Sequence, residues 1–191
     1  MKVTRFELKD PASGYNRSFM DALRTRIYLM RYPKIRIGNN TSIKKEVLFK
    51  LTDGARFEMG NHCTIKERGI FLLTKPNPHF EMGDYSGVGE RCWISIKDHL
   101  KIGNYVRIGP DVCITDNSHQ FAKDDLIMNQ RAKIQKITID DDAWMGRGVT
   151  ILGGVNIGKG AVLAAGAVVT KDIPPYEIWA GNPARFVKVR E

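Results

Sequence analysis

His119 stands at the head of a polar segment, directly after Asp116, Asn117 and Ser118. An imidazole has an unperturbed pKa of about 6.5, so it is the side chain best poised to take a proton near neutral pH, as a hydroxyl must lose one when it attacks. Asp116 or Asn117 can orient such a ring through its second nitrogen, although a backbone carbonyl would serve as well. The same two residues are candidates for holding an acceptor. Metal chemistry is not expected. A catalytic zinc takes three protein ligands, typically histidines, two of them close in sequence. Here His62, His79, His99 and His119 are each at least seventeen residues from the next, and the first three read as surface or corner residues. Cys63, Cys92 and Cys113 are odd in number and fit no CxxC spacing, which argues against a disulfide framework or a zinc site.

What positions His119 is a repeat and its interruption. An aliphatic residue followed by a small or polar one returns every six residues in "IGNNTS" from Ile37, "MGNHCT" from Met59, "MGDYSG" from Met82, "VGERCW" from Val88, "IGNYVR" from Ile102 and "IGPDVC" from Ile108. The rhythm resumes in "MGRGVT" from Met145, "ILGGVN" from Ile151, "IGKGAV" from Ile157 and "LAAGAV" from Leu163. A six-residue step does not suit a helix of 3.6 residues per turn. It suits short extended segments with tight corners where Gly, Asn or Asp supplies unusual dihedrals. Stacked coils of this kind form a parallel β-helix with one inward column of side chains. Cys63 and Cys92 fall at the small fifth position and read as core. The glycines of "GDYSGVGE", 83–90, keep the repeat register and open no helix, so they do not form a phosphate loop.

The expected architecture is mainly β: a solenoid over 35–173, interrupted by a protruding loop at 119–136. It is preceded by an extension, 1–34, and followed by a basic tail, 174–191. Within the extension, Phe19, Leu23, Ile27 and Met30 recur at helical spacing in 18–31, predicting a short amphipathic helix; its arginines could touch a membrane, but docking on its own domain is the expectation. Tyr15 and Asn16, just before it, are candidates for facing an acceptor. A length of 191 residues with 42% apolar content fits one folded domain, and no run approaches the eighteen or so apolar residues of a membrane span. The first residues lack the apolar core of a secretory signal, so a cytoplasmic protein is expected. The formal charge of +9 attracts polyanions. The basic residues lack interleaved aromatics for base stacking, so nucleic acid is not an expected partner.

The segment "IDDDAWMGRGVTILGGVNIGKGAVLAAGAVVTKDIPPYEIWAGNPARFVKV" resembles the C-terminal half of hexapeptide-repeat acyltransferases, in particular the maltose, galactoside and nodulation O-acetyltransferase branch. The Trp-x-Gly, the "GAVVTKDIPP" run and the "GNPAR" ending occur together and in order. The resemblance implies a left-handed parallel β-helix, a homotrimer, and acetyl-coenzyme A held between neighbouring subunits. It implies that His119 is the catalytic base, that Gly146 and Arg147, just after Trp144, lie beside the thioester, and that Ala165 packs on the pantetheine. Thr170 and Lys171 would contact the far end of the cofactor, and Arg185 and Lys188 its phosphates. The "ITDNSH" setting resembles more closely the members that acetylate sugars of capsule or lipopolysaccharide precursors.

On that reading a backbone N–H at Gly146 or Arg147 stabilises the oxyanion, Trp144 offers a flat apolar surface to the pantetheine, and transfer to the hydroxyl is direct. An amino-sugar N-acetyltransferase would use the same groove. A metalloenzyme of the γ-carbonic anhydrase kind and a non-catalytic solenoid are the remaining alternatives.

Overall fold

The structure is a computed structural model that describes residues 19–191; Tyr15 and Asn16 lie outside them. Strands Ile35–Ile37, Arg56–Met59, His79–Met82, His99–Ile102, Ile137–Ile139 and Asn156–Ile157 stack in parallel into one face of a prism. The second face begins with Ser42–Ile43, runs through Arg107–Ile108 and Trp144–Met145, and reaches Val162–Leu163. The third carries Leu48–Leu51, Ile70–Leu73, Trp93–Ile96, Cys113–Thr115, Thr150–Ile151 and Val168–Val169. The chain visits the faces in the same order on every coil, which makes a three-sided solenoid of six coils.

The six-residue step sets the interior. Every small fifth position of the repeat is buried: Thr41, Cys63, Ser86, Cys92, Val106, Val112, Val149, Val155, Ala161 and Ala167. Burial pushes the Cys92 thiol up to about 11, so it is a filler and not a nucleophile. In the early coils the interior widens to hold Phe49, Phe57, Phe71 and Phe80, with Phe57 stacked on Phe80 at 4.4 Å between ring centroids.

The corners explain the Asn and Asp of the motif. At the corner between the first and second faces each side-chain oxygen accepts a backbone N–H from the preceding coil. Asn61 takes Asn39, Asp84 takes Asn61, Asn104 takes Asp84 and Asp141 takes Asn104, all at 2.7–2.8 Å. Each of these bonds satisfies a corner N–H that no strand could pair.

Helix α1 (Phe19–Arg31) covers the first coil, with Tyr28 and Tyr32 packed on Phe49. The helix forms where its spacing predicts it, but the expected docking face is reversed. Phe19, Leu23, Ile27 and Met30 are exposed, whereas Asp21 and Thr25 are buried against the coil. Polar pairing decides the roll: Ile43 N–H donates to the Thr25 hydroxyl at 3.0 Å, and Val47 N–H to the Tyr28 hydroxyl at 3.1 Å. Residues 174–191 are not a free tail. Glu177–Ala180 extends the second face in parallel and Arg185–Val189 returns beside it antiparallel.

Candidate active site

The break in the repeat is an arm. After Cys113–Thr115 the chain leaves the prism at Asp116, and Asn117–His119 pairs antiparallel with Ala132–Ile134, setting His119 opposite Ala132. The arm therefore begins two residues before the predicted loop. His119 is the last residue of its outgoing strand, exposed, and among the described residues nothing hydrogen-bonds its ring. His119, Phe121, Lys133, Leu152, Gly153 and Thr170 share a hollow of about 610 Å³ beneath the arm. Lys133 was not singled out in the sequence; the ribbon brings it in by pairing it with Ser118.

Asp116 borders the same hollow, but its carboxylate is taken up by backbone and not by the His119 ring. It is 1% exposed, and its carboxylate accepts the backbone N–H groups of Lys97 and Asp98 at 2.7–2.9 Å, clamping the corner from which the arm departs. Asn117 is likewise engaged: its amide donates to the Ser95 carbonyl at 3.3 Å and to Asp116 at 3.0 Å. A short polar side chain beside a chain departure is taken up by local backbone first.

The other expected residues lie elsewhere. Gly146, Arg147 and Ala165 form the corner between the second and third faces, whereas His119 and Thr170 lie at the corner between the third and first. Gly146 allows the next coil to approach: a Cβ there would lie 2.7 Å from the Ala165 nitrogen. Its N–H already donates to the Leu163 carbonyl at 2.8 Å, so it is no oxyanion donor. The Arg147 N–H, which has no partner among the described residues, remains available. The Arg147 side chain folds back onto Asp111 at 2.8 Å. The Arg91 hydrogen bond, with Arg147 adding to it, holds the Asp111 carboxyl below the usual carboxylate range. Trp144 is half-exposed on the second face. At the C-terminal end of the prism Lys171 sits over the Trp179 ring at 4.9 Å. Arg185 and Lys188 lie exposed on the last strand, and the Lys188 ammonium is 3.9 Å from the Glu191 carboxylate.

Sequence separation of the histidines proved a poor guide. One coil returns after twenty residues, so His79 and His99 are register partners on the first face, stacked at 4.6 Å. With Glu81 they bring three potential ligand atoms within 4.8 Å of one another. The rings lie 5° from parallel, and the Nε2 atoms of both are buried without a hydrogen-bond partner among the described residues. Burial, then His99 and Arg56, holds the His79 imidazole below the ordinary histidine range.

No protein-family model matches the chain. A galactoside O-acetyltransferase from Lactococcus lactis is 33% identical over 149 residues, covering 76% of this chain and 69% of that protein. A hexapeptide-repeat-containing acetyltransferase from Vibrio cholerae, complexed with acetyl coenzyme A, superposes with a TM-score of 0.60 at 22% identity, over 95% of this chain and 84% of that one. An N-acyltransferase from Bacillus cereus, in complex with dTDP and 3-hydroxybutyryl-CoA, superposes with a TM-score of 0.75 at 17% identity, over 86% and 88%. The fold is thus the left-handed parallel β-helix of acyltransferases.

Two outcomes follow from the site's supports. Asp116→Ala should cost about 1–3 kcal/mol in a denaturant titration, because it strands the Lys97 and Asp98 N–H groups. The His79 contribution to stability is full above about pH 6.5 and is lost as the pH falls through the lower folded value, because the unfolded chain takes up the proton first. His79→Gln should therefore flatten the decline of melting temperature on the acid side of pH 6.5; an unchanged slope would count against this linkage.

Proposed function

The chain belongs to the hexapeptide-repeat acetyltransferases, the family of the galactoside O-acetyltransferases, and from that premise we propose that it moves an acetyl group from acetyl-coenzyme A to a hydroxyl of a sugar, with His119 as general base. The observation that carries this reading is the placing of His119. It projects on an arm over the edge of the third face, with Thr170 in the same hollow and its ring without a hydrogen-bond partner among the described residues. The "ITDNSH" setting favours an acceptor from surface-polysaccharide assembly, in the cytoplasm where such precursors are made.

One prism does not complete this site. From Arg147 to Leu152 the third face spans roughly 15 Å of extended chain, too far for groups at its two edges to meet across one acyl group. A three-fold arrangement about the third faces would bring the His119 edge of one subunit against the Arg147–Ala165 edge of the next. The outward residues of that face support it: Leu48 and Trp93 are exposed there.

The residues fit coenzyme A. Nothing lies within 4 Å of where a Cβ would stand at Gly148 or Gly166, so the Arg147–Ala165 corner is open to a slender chain. Lys171, Arg185 and Lys188 supply cations for phosphates at the C-terminal end. When bound, the thioester supplies an activated carbonyl. His119 then accepts the proton of the sugar hydroxyl as it attacks, and returns it to the departing sulfur. The Arg147 N–H donates to the carbonyl oxygen as charge gathers there. Arg147's side chain, held by Asp111, keeps that corner in place.

His119→Ala should lower kcat by on the order of a hundredfold or more while coenzyme A binding, read by calorimetry, stays nearly intact. Lys171→Ala or Arg185→Ala should instead raise KM for acetyl-coenzyme A with a smaller effect on kcat. Normal turnover in the His119 variant would overturn the base assignment. Sugar and amino-sugar acceptors assayed side by side, with the product read by mass spectrometry, separate ester from amide; amide alone would favour an N-acetyltransferase.

A further inference from the structure

Helix α1 presents to solvent the side that a simple covering helix would bury. At about 100° per residue, Phe19, Met30, Leu23, Ile27 and Met20 fall within an arc of roughly 100°. They are 81, 74, 44, 51 and 57% exposed, respectively. Arg26 borders the arc on one flank, and Arg31 and Arg24 border it on the other. The single acidic residue of the helix, Asp21, faces the coil, ion-paired with Lys44 and, at 2.9 Å, with Arg24. The outward face is therefore apolar at its centre, cationic at both margins and without negative charge.

The helix cannot turn this face inward at small cost. Asp21, Thr25 and Tyr28 anchor its other side to Lys44, to the Ile43 N–H and to both backbone groups of Val47. Rolling the helix would leave those polar groups unpaired.

We propose that this face docks α1 on the surface of an anionic lipid membrane. The five apolar side chains would enter the headgroup boundary while Arg26 and Arg31 pair with lipid phosphates, the arrangement of an interfacial amphipathic helix. At 13 residues, or roughly 20 Å, α1 is too short to cross a bilayer, so the contact is with one leaflet. Charge complementarity selects the occupant. A second copy of α1 would bring arginine rows against arginine rows, whereas an anionic leaflet meets them with opposite charge, and the chain's +9 adds to the attraction. If the three-fold reading above holds, three such helices lie at the same end of the assembly and their contacts multiply. On that reading the enzyme is held where lipid-borne sugar acceptors are found.

The test is vesicle flotation of the full chain. Vesicles of phosphatidylglycerol mixed into phosphatidylcholine are compared with phosphatidylcholine alone, at low and high salt. The unaltered protein should float with the anionic vesicles, and partition at least roughly tenfold less into the neutral ones. Leu23→Ser with Ile27→Ser should lose roughly tenfold or more in partition at every salt concentration. Arg26→Gln with Arg31→Gln should lose partition mainly at low salt. Melting temperature and coenzyme A binding, which these exposed positions should leave unchanged, report on folding. Absence of flotation at low salt would overturn the proposal. So would flotation indifferent to the Leu23 and Ile27 changes, which would assign the contact to charge elsewhere. A larger assembly abolished by those changes, without flotation, would assign the face to a second copy. Flotation needs no turnover, so a failure of the acetyl-transfer reading leaves this result standing.

Discussion

The register of backbone hydrogen bonds from coil to coil is the constraint on which everything else in this molecule rests. Along the second face, Ser42 N–H donates to the Cys63 carbonyl at 2.9 Å, Gly87 to Val106 at 3.0 Å, Arg107 to Ala143 at 2.9 Å and Trp144 to Ala161 at 2.9 Å. The third of these bonds spans the arm, yet it is as short as its neighbours. The ladder therefore closes beneath the excursion as though no residues had been inserted. The arm is rooted in a rigid wall at both ends, and the clamp of Asp116 on Lys97 and Asp98 fixes the point of departure. His119, carried on such a support, keeps its position relative to the corner residues with no partner for its ring among the described residues.

The same ladder turns sequence into columns. A residue that faces outward on one coil has a like-facing residue above it about a coil length later. His62, Tyr85 and Tyr105 stack at 4.7 and 5.3 Å along one corner, and His79 and His99 stack on the adjoining face. The charges follow the same order, with Arg68 on Glu46 and Arg91 on Asp111, each one coil apart. These exposed pairs contribute little stability individually, and they serve mainly to let like backbones stack without like charges facing.

How much of this could be read in advance depends on whether a feature is local to the repeat. The period, the small fifth positions and the break near Ser118 were legible, because each inward position accepts only a few side chains and a polar run cannot sit there. The corner role of Asp116 was not, because its partners lie on the preceding coil and a carboxylate near a histidine looks the same in sequence whichever way it points. The His79–His99 pairing was hidden by coil length, which the corners vary and the six-residue step does not encode. The roll of α1 was read backwards for a related reason. Apolar spacing tells which side chains share a face, but Thr25 and Tyr28 found backbone partners on the first coil, and specific polar pairing outweighed the burial of an apolar stripe.

On the proposed reading, base and donor wall stand on opposite edges of one face, and that placing has a mechanical logic. A prism wide enough to enclose aliphatic side chains is too wide for its two corners to touch a single acyl group, and its walls are too tightly paired to bend. Gly146 illustrates the point: a Cβ would meet the Ala165 nitrogen at 2.7 Å, so the corner has no slack to move toward the arm. A rigid solenoid can bring the two halves together only by presenting them to another copy, and rotation about a three-fold axis does so without deforming either. On the proposed reading, assembly and catalysis then share one requirement, the flatness of the third face. On that reading the arm, being free of the ladder, is the part that can differ in length and tip to suit an acceptor while the wall assigned to the donor stays the same.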